Sequence, residues 1–186
     1  MNHQTKEFVG AWMQAIGTIM SAIGNTPTIK KTEISSMNLD LWGNVLQGTG
    51  NALIADSEEG VSLDKIGNKV QTVGNMVIVL AFLTPISEQV KTELNIKGNM
   101  IQAVGGSLSF ADALNEEITV VTLYDIYGNL LQIIGNSMQS IGGRKSLKEN
   151  DGETINTIGS WVQAIGSVLT LMSTIKAAEN NQAVVN

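Results

Sequence analysis

One eight-residue pattern recurs six times along the 186-residue chain, and it restricts the fold more than any other feature. Written as Gly, small or Asn, any, apolar, Gln, any, apolar, Gly, it first occurs as Gly10-Ala-Trp-Met-Gln14-Ala-Ile-Gly17. Gly43-Asn-Val-Leu-Gln47-Gly-Thr-Gly50, Gly67-Asn-Lys-Val-Gln71-Thr-Val-Gly74 and Gly98-Asn-Met-Ile-Gln102-Ala-Val-Gly105 follow. Gly128-Asn-Leu-Leu-Gln132-Ile-Ile-Gly135 and Gly159-Ser-Trp-Val-Gln163-Ala-Ile-Gly166 complete the set. Six copies of so specific a pattern mark a protein built by internal repetition.

The copies begin 24 to 33 residues apart, which leaves room for one long helix and a short connection in each. Apolar residues inside them are spaced three and four apart, as in Met13, Ile16, Met20 and Ile23 or in Leu131, Ile134, Met138 and Ile141. That is helical spacing, not the alternation of a strand. The sequence therefore predicts an all-α fold, a bundle of about six antiparallel helices built from ~30-residue repeats with heptad-spaced glycines. The expected helices cover 4–24, 36–55, 57–83, 85–105, 112–142 and 152–178 of a single domain, 1–186. Asn25-Thr-Pro27, Gly105-Gly106 and Gly142-Gly143 are the expected stops of the first, fourth and fifth. Ser35 or Ser36, Thr84-Pro85 and Asp151 are the expected starts of the second, fourth and sixth.

An interior glycine costs about 0.8–1 kcal/mol relative to alanine, so ten of them approach the whole net stability of an ordinary domain. Close helix approach along a side-chain-free groove is the compensation this pattern suggests. Gly10, Gly17, Gly43, Gly50, Gly67, Gly74, Gly98, Gly105, Gly128, Gly135, Gly159 and Gly166 are thus expected to be packing surfaces. Gln14, Gln47, Gln71, Gln102, Gln132 and Gln163, with Gln139 one heptad on, form a column beside them. Their simplest expected role is hydrogen bonding at helix contacts to fix register; lining a polar tunnel or a ligand site is the alternative. On the helical wheel the apolar slots flank the glycines, and helices so apolar around their circumference are normally buried on more than one face.

Composition then removes several chemistries. There is no cysteine and one histidine, which excludes disulfides, thiolate metal sites, a Cys nucleophile, a His pair for metal and a Ser-His triad. A net charge of −6 with Arg144 the lone arginine argues against nucleic acid as a partner. No cofactor and no catalytic residue are expected, so the protein reads as a non-enzyme. Glu7, Asp40, Asp64 and Asp125 share one slot ahead of the motif. If neighbouring helices are antiparallel, Asp40 falls at the opposite end from the others, leaving Glu7, Asp64 and Asp125 as the one conceivable cation cluster. Near helix starts, acids also interact well with the helix dipole. Trp12 and Trp161 occupy one slot in the first and last copies and are candidates for an interaction patch or for closing the bundle, whereas Trp42 is expected in the core. Segment 143–151 reads as a charged connection.

Charges are confined to the ends of the repeats, leaving charge-free stretches at 8–29, 41–55, 70–87, 98–111, 126–143 and 154–175. Several approach a membrane span in length, yet all are diluted by Gly, Asn, Gln, Ser or Thr, and mean hydropathy is only +0.12. The expected function is that of a structural or interaction protein that self-associates as a homo-oligomer or binds a protein partner. A conditional membrane-binding or pore-forming protein is the first alternative, and a small-ligand or cation-binding bundle the second. No conventional signal peptide is visible, so a cytoplasmic location is the default. The six Gly-Asn-x-apolar-Gln-x-Ile/Val-Gly copies resemble an uncharacterised family of small repetitive proteins from spore-forming bacilli; the resemblance implies a bacterial origin and an intracellular setting, and brings no activity, cofactor or site residue.

Overall fold

The structure, a computed structural model, describes residues 1–29, 33–149 and 151–185. Six helices follow one another: α1 (His3–Gly24), α2 (Glu33–Ser57), α3 (Leu63–Leu83), α4 (Glu88–Ala113), α5 (Val120–Glu149) and α6 (Glu153–Val185). No strand occurs among the described residues. The shortest helix, α3, has 21 residues and is therefore about 31 Å long at 1.5 Å per residue.

Local chemistry sets several of the helix starts. The Asn2 side chain accepts a hydrogen bond from Thr5 N at 2.8 Å, Ser62 Oγ accepts from Lys65 N at 2.8 Å, and Ser87 Oγ accepts from Val90 N at 3.4 Å. Each satisfies an N–H that the first helical turn leaves unpaired. These caps move two expected boundaries. The third helix begins at Leu63 and not at 57, after a turn in which Gly60 takes φ +79°. The fourth begins at Glu88, beyond Thr84-Pro85. The second starts at Glu33, ahead of Ser35 and Ser36, and the sixth at Glu153, just past Asp151.

Two expected helix stops are overturned. Helix α4 runs through Gly105-Gly106 to Ala113, and α5 runs through Gly142-Gly143 to Glu149. The fifth helix also starts at Val120 and not at 112, and the sixth extends to Val185. The glycine pairs are contact surfaces within helices. A Cβ on Gly106 would lie 3.2 Å from Ile133, and one on Gly143 would lie 2.8 Å from Ile96. The expected connection 143–151 is therefore mostly helix, with Lys145 Nζ paired to Asp151 at 2.8 Å; Asn150 lies outside the described residues.

Among the described residues each helix packs only on its chain neighbours, and α6 packs on α1. The six helices thus close into a ring with no helix at its centre. Within the pairs α1–α2, α3–α4 and α5–α6, motif glycines meet one another. Gly10 faces Gly50 and Gly17 faces Gly43; Gly67 faces Gly105 and Gly74 faces Gly98; Gly128 faces Gly166 and Gly135 faces Gly159. A Cβ added at Gly135 would stand 2.5 Å from Gln163 N and 2.6 Å from Gly159 O. The seams between pairs are different. Ser and Thr bridge α1–α6, where Thr18 Oγ1 and Ser167 Oγ are 2.5 Å apart, and α2–α3, where Thr72 Oγ1 donates to Gly48 O at 3.3 Å.

Which side of each helix faces inward is the main departure from the sequence expectation. The largest fully buried side chains are all polar, with Gln47, Gln102, Gln132, Asn51, Asn75 and Asn136 leading. The apolar slot before the second motif glycine points outward wherever it is filled by a large aliphatic side chain: Ile16, Val73, Val104, Ile134 and Ile165 are 40–59% exposed. Trp42, expected in the core, is 58% exposed. The reason is geometric. The glycine defines one contact, the residue after it turns to the other neighbour, and Gln lies between the two, so the interior receives small and amide side chains and the rest of the circumference is left outside. Among the described residues, buried apolar side chains cluster around Ala11, Ala15 and Leu171.

Replacing Gly135 by valine should force α5 and α6 apart, because the new atoms would meet backbone and no flexible neighbour can yield. Gly60→Ala, with nothing within 4 Å of its Cβ, should cost only the left-handed conformation, about 1–2 kcal/mol. Thermal unfolding followed by circular dichroism should therefore show a much larger loss for Gly135→Val than for Gly60→Ala.

Candidate functional site

The ring axis carries the polar groups. The six motif glutamines occupy equivalent slots on six helices, and facing glycines hold each pair in register, so the amides meet at one level. All are buried. Gln163 is the hub: its Nε2 donates to Gln47 Oε1 at 3.0 Å and to Gln102 Oε1 at 3.2 Å, while its Oε1 accepts from Gln139 Nε2 at 2.8 Å. Gln14 Nε2 donates to Gln132 Oε1 at 3.0 Å, and Gln47 Nε2 to Ser21 Oγ at 3.2 Å. Helices two places apart in the ring are thus tied to each other through its interior.

This amide layer separates two cavities that each draw lining residues from all six helices. One, of about 380 Å³, has Gln14, Gln71 and Gln132 at its floor. The other, of about 60 Å³, begins at Gln47, Gln102 and Gln163 and is walled by Asn44, Asn95, Asn99 and Asn156. A helical side chain leans toward its own N-terminus, which sends alternate glutamines to opposite faces of the layer. The axis is polar from end to end and closed in the middle by amides.

The larger cavity is acidic. Glu7, Glu58, Asp64, Asp112, Glu116 and Asp125 line it, and among the described residues no lysine, arginine or histidine does. Glu7, Asp64 and Asp125 therefore share one mouth, while Asp40 lines the opposite cavity beside Asn44. Asp125 accepts from Ser173 Oγ at 2.7 Å, and Asp64 from Asn68 Nδ2 at 2.9 Å. These acids sit outside the charge-free stretches. Burial raises the Asp125 carboxyl to about 7, helped by Glu116 and Glu7. Glu7 is raised by burial and by Glu58. Among the described residues no three acidic or imidazole groups converge closely enough to chelate a metal ion.

The tryptophans lie on the outside. Trp12 and Trp161 are 43% and 38% exposed; Trp12 meets Phe8 edge-on with ring centroids 6.4 Å apart. Trp161 Nε1 donates to Thr26 Oγ1 at 2.9 Å. Sequence reasoning named the glutamine column but missed that Ser109, Ser173 and Thr170 complete the acidic mouth; these residues lie a heptad from the motif and carry no signal of their own.

A ring of helices with a polar axis and an apolar outside defines the class of protein. The chain belongs to the family of unknown function DUF6944, which it matches over residues 5–171. No curated protein and no solved structure matches it.

Two outcomes follow from the axis. Gln163→Leu would leave the amides of Gln47, Gln102 and Gln139 short of a partner, each at about 1–3 kcal/mol, so it should lower the unfolding midpoint more than Gln14→Leu, which strands only Gln132. The acids set a pH dependence. Asp125 titrates near 7 in the fold and near 3.8 when unfolded, so between these values the folded chain holds more protons. Stability is then full below about pH 4 and falls as pH rises to about 7. Unfolding at about pH 5 should come at a higher temperature than at about pH 8, and Asp125→Asn should flatten the difference.

Proposed function

We propose that this chain is a non-catalytic membrane-inserted barrel, six antiparallel helices built from the glycine repeat, whose polar axis is a pore closed by the glutamine layer. The observation that carries the reading is the reversed polarity: amides are buried at the centre while Ile16, Val73, Val104, Ile134 and Ile165 face out on five helices and Met37 and Trp42 face out on the remaining one. Water would meet apolar surface around the whole ring, which is the arrangement that lipid, not water, stabilises. Close glycine contacts and interhelical amide bonds are also the devices that hold helices together where apolar burial supplies no drive. The reverse-order glycine contacts within each pair support the antiparallel order.

By length and composition alone, two stretches, Leu63–Leu83 and Glu153–Asn181, are apolar enough to cross a membrane. That test averages over the circumference, so the inward Gly, Asn and Gln of the other helices lower it without touching the outer face. Lys69 and Lys97 interrupt the outer face of α3 and α4, and their long stems can carry the ammonium toward the interface. Self-association in water, the reading that composition favours, covers less of the problem: a twofold interface hides one side of a ring that is apolar on all sides.

Flotation of the purified chain with liposomes tests the proposal, read together with quenching of Trp12, Trp42 and Trp161 by lipids brominated on the acyl chains. Co-flotation with strong quenching is expected. A protein that stays in the aqueous fraction as a stable monomer or oligomer, with unquenched tryptophans, would overturn it.

A further inference from the structure

Resting on the pore reading, the chamber on the Asp40 side of the glutamine layer narrows what the pore can pass. Its walls are amides, the Ser21 hydroxyl and the Asp40 carboxylate from five helices, with Ile78 alone from α3. At about 60 Å³ it exceeds the ~10–15 Å³ that one water needs, and its walls supply the several polar partners that keep a water in place. The chamber shares Asn25, Asn95, Asn99, Gln139 and Asn156 with a wider hollow of about 460 Å³ beyond it. Water therefore reaches the glutamine layer from this end as well as from the larger cavity on the other side. Fixed charge stops short of the layer. Glu7, Asp40, Asp64 and Asp125 each stand seven residues before a layer glutamine on their own helix, about 10 Å at 1.5 Å per residue. Asp40 in addition accepts from Asn44 Nδ2 at 3.1 Å.

We propose that the axis passes water and other small neutral molecules that both donate and accept hydrogen bonds, and holds back alkali cations and halides. Pore width and the donors and acceptors along it decide such selectivity. At the layer the amides are spent on one another, with Gln163 Nε2 donating to Gln47 and Gln102 while Gln163 Oε1 accepts from Gln139. Contacts of 3.0 and 3.2 Å leave no opening for a hydrated ion. A water that enters one of these contacts accepts from the amide and donates to the carbonyl, and a bridged bond is nearly as good as a direct one. The exchange leaves no group unpaired. A bare cation in the same place offers the Gln163 N–H groups nothing to bond to, and a halide leaves the Gln47 and Gln102 carbonyls without a donor. Stranding buried polar groups in that way is costly.

Two measurements on the full-length chain test this together: stopped-flow light scattering of reconstituted vesicles shrinking in sucrose, and the conductance of planar bilayers in potassium chloride. Shrinkage several-fold faster than in protein-free vesicles is expected, with conductance no higher than that of the bare bilayer. Conductance above the bare bilayer overturns the inference and leaves the pore standing. An inserted chain that neither speeds shrinkage nor conducts overturns the pore reading, and this inference with it. The path is checked separately. The chain has no cysteine, so Asn99→Cys places a single thiol in the chamber wall. Its reaction with the neutral reagent methyl methanethiosulfonate should slow shrinkage toward the protein-free rate and leave the wild type unchanged. A thiol that stays unmodified, or one fully modified without any slowing, overturns the inference.

Discussion

The contact on which everything else rests is backbone against backbone at the paired glycines. At Gly17 and Gly43, or Gly67 and Gly105, a methyl group would fall within 2.7 Å of a carbonyl oxygen, so the helices approach as closely as their main chains permit. Such proximity collects dispersion and weak Cα–H···O contacts along the whole seam, which offset the poor helix propensity of glycine. It also fixes the geometry of the neighbours in sequence. Once the glycine is spent on one contact, the residue three places before the next glycine and the residue just after a glycine face inward. Those slots hold Gln and Asn or Ser.

The polarity of the ring follows from that placement. Six helices that each devote their inner face to glycine and amides leave Trp12, Met100, Leu130 and Trp161, together with the Ile and Val slots, nowhere to go but outward. In water this would be a poor exchange, since burying an amide gains little and exposing Ile loses apolar burial. In lipid the same exchange is favourable, because the amides find partners inside and the apolar side chains meet acyl chains. That exchange is what supports the proposed membrane setting.

Much of the architecture was legible in the sequence. The number of helices, their rough positions and the mutual contact of the glycines follow from the six motif copies, and the sharing of one end by Glu7, Asp64 and Asp125 follows from their common slot. The inside and outside were not legible, for a definite reason. An apolar stripe at three-four spacing is the ordinary mark of a core-facing surface, and nothing in the spacing says whether the stripe meets protein or lipid. The helix stops at Gly105-Gly106 and Gly142-Gly143 were misread through the same ambiguity, since a glycine that ends a helix and a glycine that lets another helix approach are the same residue. What would have decided the matter is the company the glycines keep. Gln14, Gln47, Gln71, Gln102, Gln132 and Gln163 recur in the slot that glycine contacts force inward, and an amide repeated six times at an interior slot means a polar centre.

The ring is not equally strong all the way round. Its three glycine-to-glycine seams lie within the pairs, whereas the seams between pairs set single glycines such as Gly48, Gly106 and Gly143 against side chains and add hydroxyl bridges and asparagines in the slot after the glycine. Several of those asparagines are imperfectly satisfied: Asn51 and Asn75 each have an unpartnered Oδ1, and Asn136, at 0% exposure, lacks partners for both Oδ1 and Nδ2. Asn75 sits directly against Gly48 across the α2–α3 seam. An orphaned buried amide group costs about 1–3 kcal/mol, so these positions subtract from the seams they occupy. Within a pair the helices are locked by backbone contact; between pairs they are held by bonds that can be exchanged for water. A ring built this way has its stiffness in three two-helix units and its weakness between them, and the glutamine layer, with Gln163 bonded to Gln47 and Gln102 of the other two units, is what ties the three units together at the centre.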